Sequence, residues 1–277
     1  MENGSLDRAA LLSFLDFHVE AGVDAVLDEM PHDRFAENAR PPAISPSSPP
    51  APEPSTEPVP ARSTTPRALP RAASAAPDPV AAAARAKARE ATTLAELEAL
   101  LVAFEGCALK FSAKNLAFAD GNPEGRVMLV GEAPGADEDR IGRPFMGRSG
   151  QLLDRMLAAI GLDRTQVYIA NIVPWRPPGN RTPTPQEISI CRPFIERQIE
   201  LADPDFLVCL GGPATQNLLG TRDGILKTRG RWLPYRTERR EIRALATLHP
   251  AYLLRTPVKK REAWLDFRAL RKALDTA

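Results

Sequence analysis

Arg126-Val127-Met128-Leu129-Val130-Gly131-Glu132-Ala133-Pro134-Gly135 is an apolar run that stops abruptly at a glycine and proline turn. The run reads as a buried strand. Gly131, Pro134 and Gly135 force a sharp turn where backbone can approach a ligand closely. Asp137, Glu138 and Asp139 follow, and then Phe145 within Gly142-Arg143-Pro144-Phe145. The spacing of Leu152, Leu153, Met156, Leu157 and Ile160 predicts a helix from about 149 to 160. Ligands of open α/β sheets bind at the carboxyl ends of strands. The turn, the carboxylates and the aromatic ring therefore stand where a site is expected. The plainer reading is an acidic strand-to-helix loop.

Three more strand-like runs continue the pattern: 166–173, 205–211 and 242–248. Helical stretches at 184–202, 213–220 and 258–275 separate or follow them. Strands alternating with helices predict a three-layer α/β/α sandwich around a four-stranded parallel sheet. Another helical stretch is expected at about 79–105. Each strand ends in a polar or glycine signature. The second runs through Asn171 into Trp175-Arg176-Pro177-Pro178-Gly179-Asn180-Arg181-Thr182-Pro183, too proline-rich for helix or strand. The third ends at Gly211-Gly212-Pro213, opening a helix whose amides suit a phosphate. The fourth ends at His249-Pro250-Ala251-Tyr252-Leu253-Leu254-Arg255. Parallel folding brings these ends to one crevice. His249 is either structural or catalytic. Asn171 is either a satisfied loop amide or the reader of a planar ligand edge. Phe145 is either core or a stacking platform.

The 277 residues allow one large domain or two small ones, and 43% hydrophobic residues allow a sizeable core. The net charge of +1 is uneven: residues 1–40 hold nine acids and three bases, a net of −6. Residues 41–80 hold three of each, so the rest carries +7. A mildly basic body suits a polyanion, although a solvated basic surface explains it as well. Residues 6–29 pattern as an amphipathic helix. Thirteen of the 28 prolines lie between Pro41 and Pro79, which marks a disordered linker. The expected organisation is thus an N-terminal helix within 1–32, a linker over 33–78 and a folded domain over 79–277. The tethered helix reads as a docking arm or a partner-binding element. Cys107, Cys191 and Cys209 are too few and too odd for a disulfide framework. No apolar run approaches the ~18 residues that span a bilayer. The expectation is a cytoplasmic chain.

These loops, in this order and spacing over about residues 100–275, resemble the uracil-DNA glycosylase superfamily, and within it the family 4 enzymes. The resemblance rests on Gly131-Glu132-Ala133-Pro134-Gly135 with Glu138-Asp139, Gly142-Arg143-Pro144-Phe145, Asn171, Arg176 to Pro183, and His249 to Arg255. It implies base flipping and hydrolysis of the N-glycosidic bond of uracil in DNA by a monofunctional, monomeric enzyme. Gly131, Glu132, Ala133, Phe145 and Asn171 would hold the base, Phe145 by stacking and Asn171 by its Watson–Crick edge. His249 would stabilise the uracil anion. A carboxylate would steady the sugar or orient the water; Ala133 occupies the position where family 1 enzymes carry an aspartate. Glu138 is favoured for that role over Asp139 and Glu132. Leu253, Leu254 and Arg255 would form a wedge in the duplex. Arg176, Asn180, Arg181, Thr182, Gly211 and Gly212 would grip phosphates.

Family 4 also implies a four-iron–four-sulfur cluster on four cysteines. Cys107 and Cys191 match two positions, while Lys110 and Trp175 stand at the others. Two thiolates do not hold a cubane, so the expectation is a lost cluster, with a retained one as the alternative. Trp175 beside the reading loop suggests a substrate range extending to other deaminated or damaged bases. The competing functional class is a non-catalytic or covalent binder of uracil-DNA. The covalent version uses a histidine in an inserted basic loop, and residues 141–150 have neither.

Overall fold

The continuous apolar runs become adjacent parallel strands because each can bury both its faces. The computed structural model describes residues 79–276; the helix expected within 1–32 and the linker over 33–78 lie outside the described residues. The strands are β1 (Asp120–Gly121), β2 (Val127–Gly131), β3 (Val167–Asn171), β4 (Phe206–Leu210), β5 (Trp232–Arg236) and β6 (Glu241–Thr247). Their order across the sheet is β1-β3-β2-β4-β6-β5. The pairs β2–β3, β2–β4 and β4–β6 are parallel. Every residue of β2, β3 and β4 is buried.

The expected sheet had four strands, and the four central ones match it. The two edge strands are an addition that the sequence pattern does not show. Both pair antiparallel with their neighbours. β1 is two residues long. β5 is mostly uncovered and contains Pro234, tolerated at an edge because proline cannot donate to a central ladder.

The helices are α1 (Pro79–Glu90), α2 (Leu94–Ala103), α3 (Leu109–Ser112), α4 (Ala136–Ile141), α5 (Arg148–Ala158), α6 (Pro185–Ala202), α7 (Gly212–Leu219), α8 (Ile225–Thr228), α9 (Pro250–Arg255) and α10 (Lys260–Thr276). The stretch expected to be helical at 79–105 is two helices. The first ends at Glu90, and Thr93 caps the second, its hydroxyl accepting from the Glu96 N–H and its N–H donating to the Glu96 carboxylate. The strand period of two separates the core into halves. Met128 and Val130 face Leu97, Leu101, Phe194 and Ile195 on one side. Val127 and Leu129 face Leu153, Leu157, Phe267 and Leu270 on the other. Helices α1, α2, α6 and α7 thus form one layer, and α5 and α10 the other. This is the three-layer α/β/α sandwich expected.

Parallel register aligns the strand ends. Gly131 pairs with Asn171, and Leu210 pairs with Thr247. The loops after these four strands therefore leave from one rim.

Candidate active site

A cavity of about 580 Å³ opens at that rim. Glu132, Phe145, Asn171, Gly211 and His249, from the loops after all four central strands or the ends of those strands, line it together. Ala133, Glu138, Asn180, Arg181, Thr182, Gly212 and Arg255 also line it. Of the residues singled out from the sequence, Gly131, Asp139, Arg176, Leu253 and Leu254 are not on its wall.

Gly131 acts from behind. A Cβ there would stand 2.5 Å from Asn171 Oδ1 and 2.7 Å from Phe145 Cζ. Only glycine lets the amide and the ring close over the end of β2. Asn171 is 4% exposed. Its Oδ1 is buried and has no hydrogen-bond partner among the described residues. A buried acceptor without a partner is costly, and this one is available to a donor from a ligand. Phe145 is 4% exposed, and its ring centroid lies 5.5 Å from that of His249. It is both core and wall: it packs with Leu129 and Leu153 while turning its ring to the cavity.

His249 caps α9. Its Nδ1 accepts the Ala251 N–H at 3.1 Å, which leaves the neutral ring's proton on Nε2. Burial, and secondarily the positive charge of Arg255, push its pKa down to about 4. The imidazole is therefore an uncharged donor at neutral pH. Gly211 makes room for it. Gly211 has φ +91°, and a Cβ would meet His249 Cβ at 3.0 Å.

The three carboxylates differ in their hydrogen-bond partners. Glu138 is committed to backbone. Its Oε1 accepts from Met146 and Gly147 N–H, each at 2.8 Å, and its Oε2 accepts from Gly135 N–H at 3.0 Å. Asp139 points away, its Oδ1 accepting from Lys114 N–H at 2.7 Å and Asn115 N–H at 3.2 Å. Glu132 is the carboxylate with spare capacity. Its Oε1 is buried without a partner among the described residues, and burial raises its pKa. Glu138, favoured from the sequence, also lines the cavity but already accepts three amide N–H groups, whereas Glu132 Oε1 has no partner among the described residues.

Two further expectations change. Leu253 is 1% exposed and packs with Leu248 and Ala263, because α9 turns it inward. Leu254 is half-buried and Arg255 exposed, so any wedge is made of these two. Leu253→Ala is expected to cost about 2–5 kcal/mol of stability, measured by urea unfolding. A loss of DNA activity at unchanged stability would restore Leu253 to the wedge. Trp175 is buried and off the cavity wall, so it gives no ground for a wider range of bases. Residues the sequence pattern missed are Ser149, Ile225, Leu248 and Tyr252. Tyr252 and Leu248 neighbour His249 in the sequence. Ser149 and Ile225 carry no local signal.

Arg176 donates through Nε to Asn180 Oδ1 at 2.7 Å. Arg181 is clamped on Glu187 by both terminal nitrogens, at 2.8 and 2.6 Å, which draws the Glu187 pKa down to about 2.

The cluster implied by the resemblance was tested against these residues. Cys107 and Cys191 do meet, with Sγ atoms 3.8 Å apart in the core. Lys110 turns outward, its Nζ donating to Val102 O at 2.6 Å. Trp175 is packed in the same core region as the two thiols, and Cys209 lies inside β4. No group of three or more His, Cys, Asp or Glu side chains suited to a metal is assembled among the described residues. Two thiols fall short of a four-ligand set, and the residues present do not fit the cluster.

A glycine-backed cavity with one aromatic face, one amide oxygen without a partner, an uncharged histidine donor and a carboxylate has the groups that suit a flat polar ring. It belongs to an enzyme built on the strand ends of a parallel sheet. Comparison with known families agrees: the uracil DNA glycosylase superfamily matches residues 118–268, and the chain belongs to that superfamily. It is 43% identical to a type-4 uracil-DNA glycosylase of Thermotoga maritima over 54% of this chain and 77% of that protein. It is 39% identical to one from Archaeoglobus fulgidus over 59% of this chain and 84% of that protein. A type-5 enzyme of Thermus thermophilus is 36% identical over 36% of this chain and 52% of that protein.

Proposed function

We infer that this chain is a monofunctional uracil-DNA glycosylase of DNA repair, hydrolysing the bond between uracil and deoxyribose and leaving an abasic site. The observation that carries this is the convergence of Asn171, Phe145 and His249 on one cavity. A base must leave the helical stack to enter it. Phe145 covers one face of the flipped ring. Asn171 Oδ1 accepts the uracil N3–H, and its NH₂ donates to O4. As the glycosidic bond breaks, negative charge gathers on the uracil O2, where the His249 Nε2–H meets it. Glu132 steadies the cationic sugar and orients the attacking water. No lysine lines the cavity among the described residues, which supports hydrolysis without a Schiff base.

Asn180, Thr182, Gly211, Gly212, Leu254 and Arg255 face the DNA in this reading, with Arg176 bracing the proline-rich loop. Arg181, held by Glu187, stiffens the loop and adds less to phosphate binding. The enzyme works without an iron–sulfur cluster, as a cytoplasmic monomer. Residues 79–277 carry the activity, and residues 1–32, on the 33–78 linker, recruit a protein partner. No helix among the described residues is long and apolar enough to cross a membrane.

The test is uracil excision by purified protein, with iron content and visible absorption recorded beforehand. Expected are a colourless protein, alkali-labile abasic sites, and equal rates with and without residues 1–78. Retention of uracil-DNA without release would make the chain a lesion binder. A brown, iron-loaded protein would overturn the cluster-free reading.

A further inference from the structure

The segment presenting Phe145 is held in a conformation that it would not keep alone. Phe145 has φ +56°, a region that side-chain-bearing residues rarely occupy and that persists only when the surroundings impose it. The imposing groups lie on both sides of one peptide. The carbonyl of the Phe145–Met146 peptide accepts from Arg164 Nη2. The N–H of the same peptide donates to Glu138 Oε1 at 2.8 Å. A cation and an anion thus grip its two ends, each by a charge-assisted hydrogen bond. Arg164 Nη1 also reaches Pro144 O at 3.3 Å. Helix α5 closes the remaining side: a Cβ on Gly150 would stand 1.7 Å from Phe145 O.

Arg164 is itself anchored. Its Nε donates to Asp154 Oδ1 at 2.7 Å, and its Nη1 to Asp120 Oδ2 at 2.5 Å. Asp120 is the first residue of β1. This gives the two-residue edge strand a purpose, since its pairing with β3 places Asp120 beside the guanidinium. Arg164 touches neither the cavity nor the expected position of the base.

We propose that Arg164 is a positioning residue for base recognition, locking the Phe145–Met146 peptide so that the Phe145 ring stays over the cavity beside His249. The proposal rests on the reading of Phe145 as the ring that stacks on uracil. Rotation of this peptide breaks the bonds to Arg164 and Glu138 together and swings the ring from its place. A lysine retains the charge at Arg164 but cannot serve two carbonyls and two carboxylates at fixed angles.

The experiment is a double-mutant cycle on the full chain, measuring kcat and KM for uracil-DNA with Phe145→Ala, Arg164→Ala and the double variant, and with Arg164→Lys alongside. Arg164→Ala is expected to lower kcat/KM about ten-fold, mainly through KM, in the otherwise unchanged chain and less than about two-fold in the Phe145→Ala background. Arg164→Lys should recover part of the loss. A role in stability alone would lower Tm and cost the same factor in both backgrounds, which would overturn the proposal. If Arg164→Ala does not fold, Asp120→Ala, which removes one anchor, replaces it in the cycle with the same expected coupling. Unchanged activity in Phe145→Ala overturns the stacking reading and this proposal with it. An impaired Phe145→Ala with an additive Arg164→Ala overturns the proposal alone.

Discussion

Replacing His249 with asparagine is expected to lower kcat by about 10²–10³ while leaving the fold intact. Asparagine is a strong N-cap and its Oδ1 can accept the Ala251 N–H, so α9 keeps its first turn. What is lost is the Nε2–H donor. Because the histidine is neutral at pH 7, the loss is of a preorganised dipole rather than of a positive charge. The acid side of the pH profile should therefore carry no step near the ordinary histidine pKa of about 6.5. The same shift has a consequence for stability. The folded pKa, about 4, lies below the unfolded value, so the unfolded chain takes up this proton first. Stability contributed by neutral His249 is present above pH ~6.5 and is lost as pH falls through about 4. His249→Asn should flatten that part of the stability curve. An NMR titration placing the ring's pKa near 6.5, or a variant with full kcat, would sink this assignment.

Glu132→Gln is expected to lower kcat/KM by about 10²–10⁴. The side chain keeps its size and loses its charge, so Tm should hardly move. Only the ionised carboxylate can steady a cationic sugar, and burial raises its pKa above the ordinary carboxylate value. Activity should then fall on the acid side as pH drops through that raised value, and the limb should vanish in Glu132→Gln. Glu138→Gln is the informative companion. A glutamine there turns its one amide oxygen to the Met146 and Gly147 N–H groups and leaves its NH₂ against the Gly135 N–H donor, so the principal effect is a fall in Tm as the 135–147 segment loosens. A larger kcat loss in Glu138→Gln than in Glu132→Gln, at equal stability, would return the catalytic role to Glu138.

Much of this was legible in the chain. Runs such as Val127 to Val130 and Phe206 to Leu210 are apolar at every position, and only a strand covered on both faces uses such a run. The glycine and polar residues at their ends mark the rim, and the His249-Pro250 step marks a cap and a first helical residue. Gly131, Phe145, Asn171 and His249 could thus be picked out by position. Strand and helix types follow from short-range periodicity, which each segment carries within itself.

Tertiary packing decided the rest. Glu132, Glu138 and Asp139 are chemically alike and nearly adjacent. Which one is free depends on where the amides of Gly135, Met146, Gly147, Lys114 and Asn115 come to rest, and the last two of these belong to a separate segment. Leu253 and Leu254 are the same residue one helical step apart, and only the packing of α9 against Leu248 and Ala263 turns the first inward. Cys107 and Cys191 are 84 residues apart and meet in the core. The edge strand β1 is too short to have a pattern and exists through its pairing with β3. Hydrogen-bond acceptors are assigned by whichever donors the fold delivers, and a local pattern holds no record of donors that arrive from elsewhere in the chain.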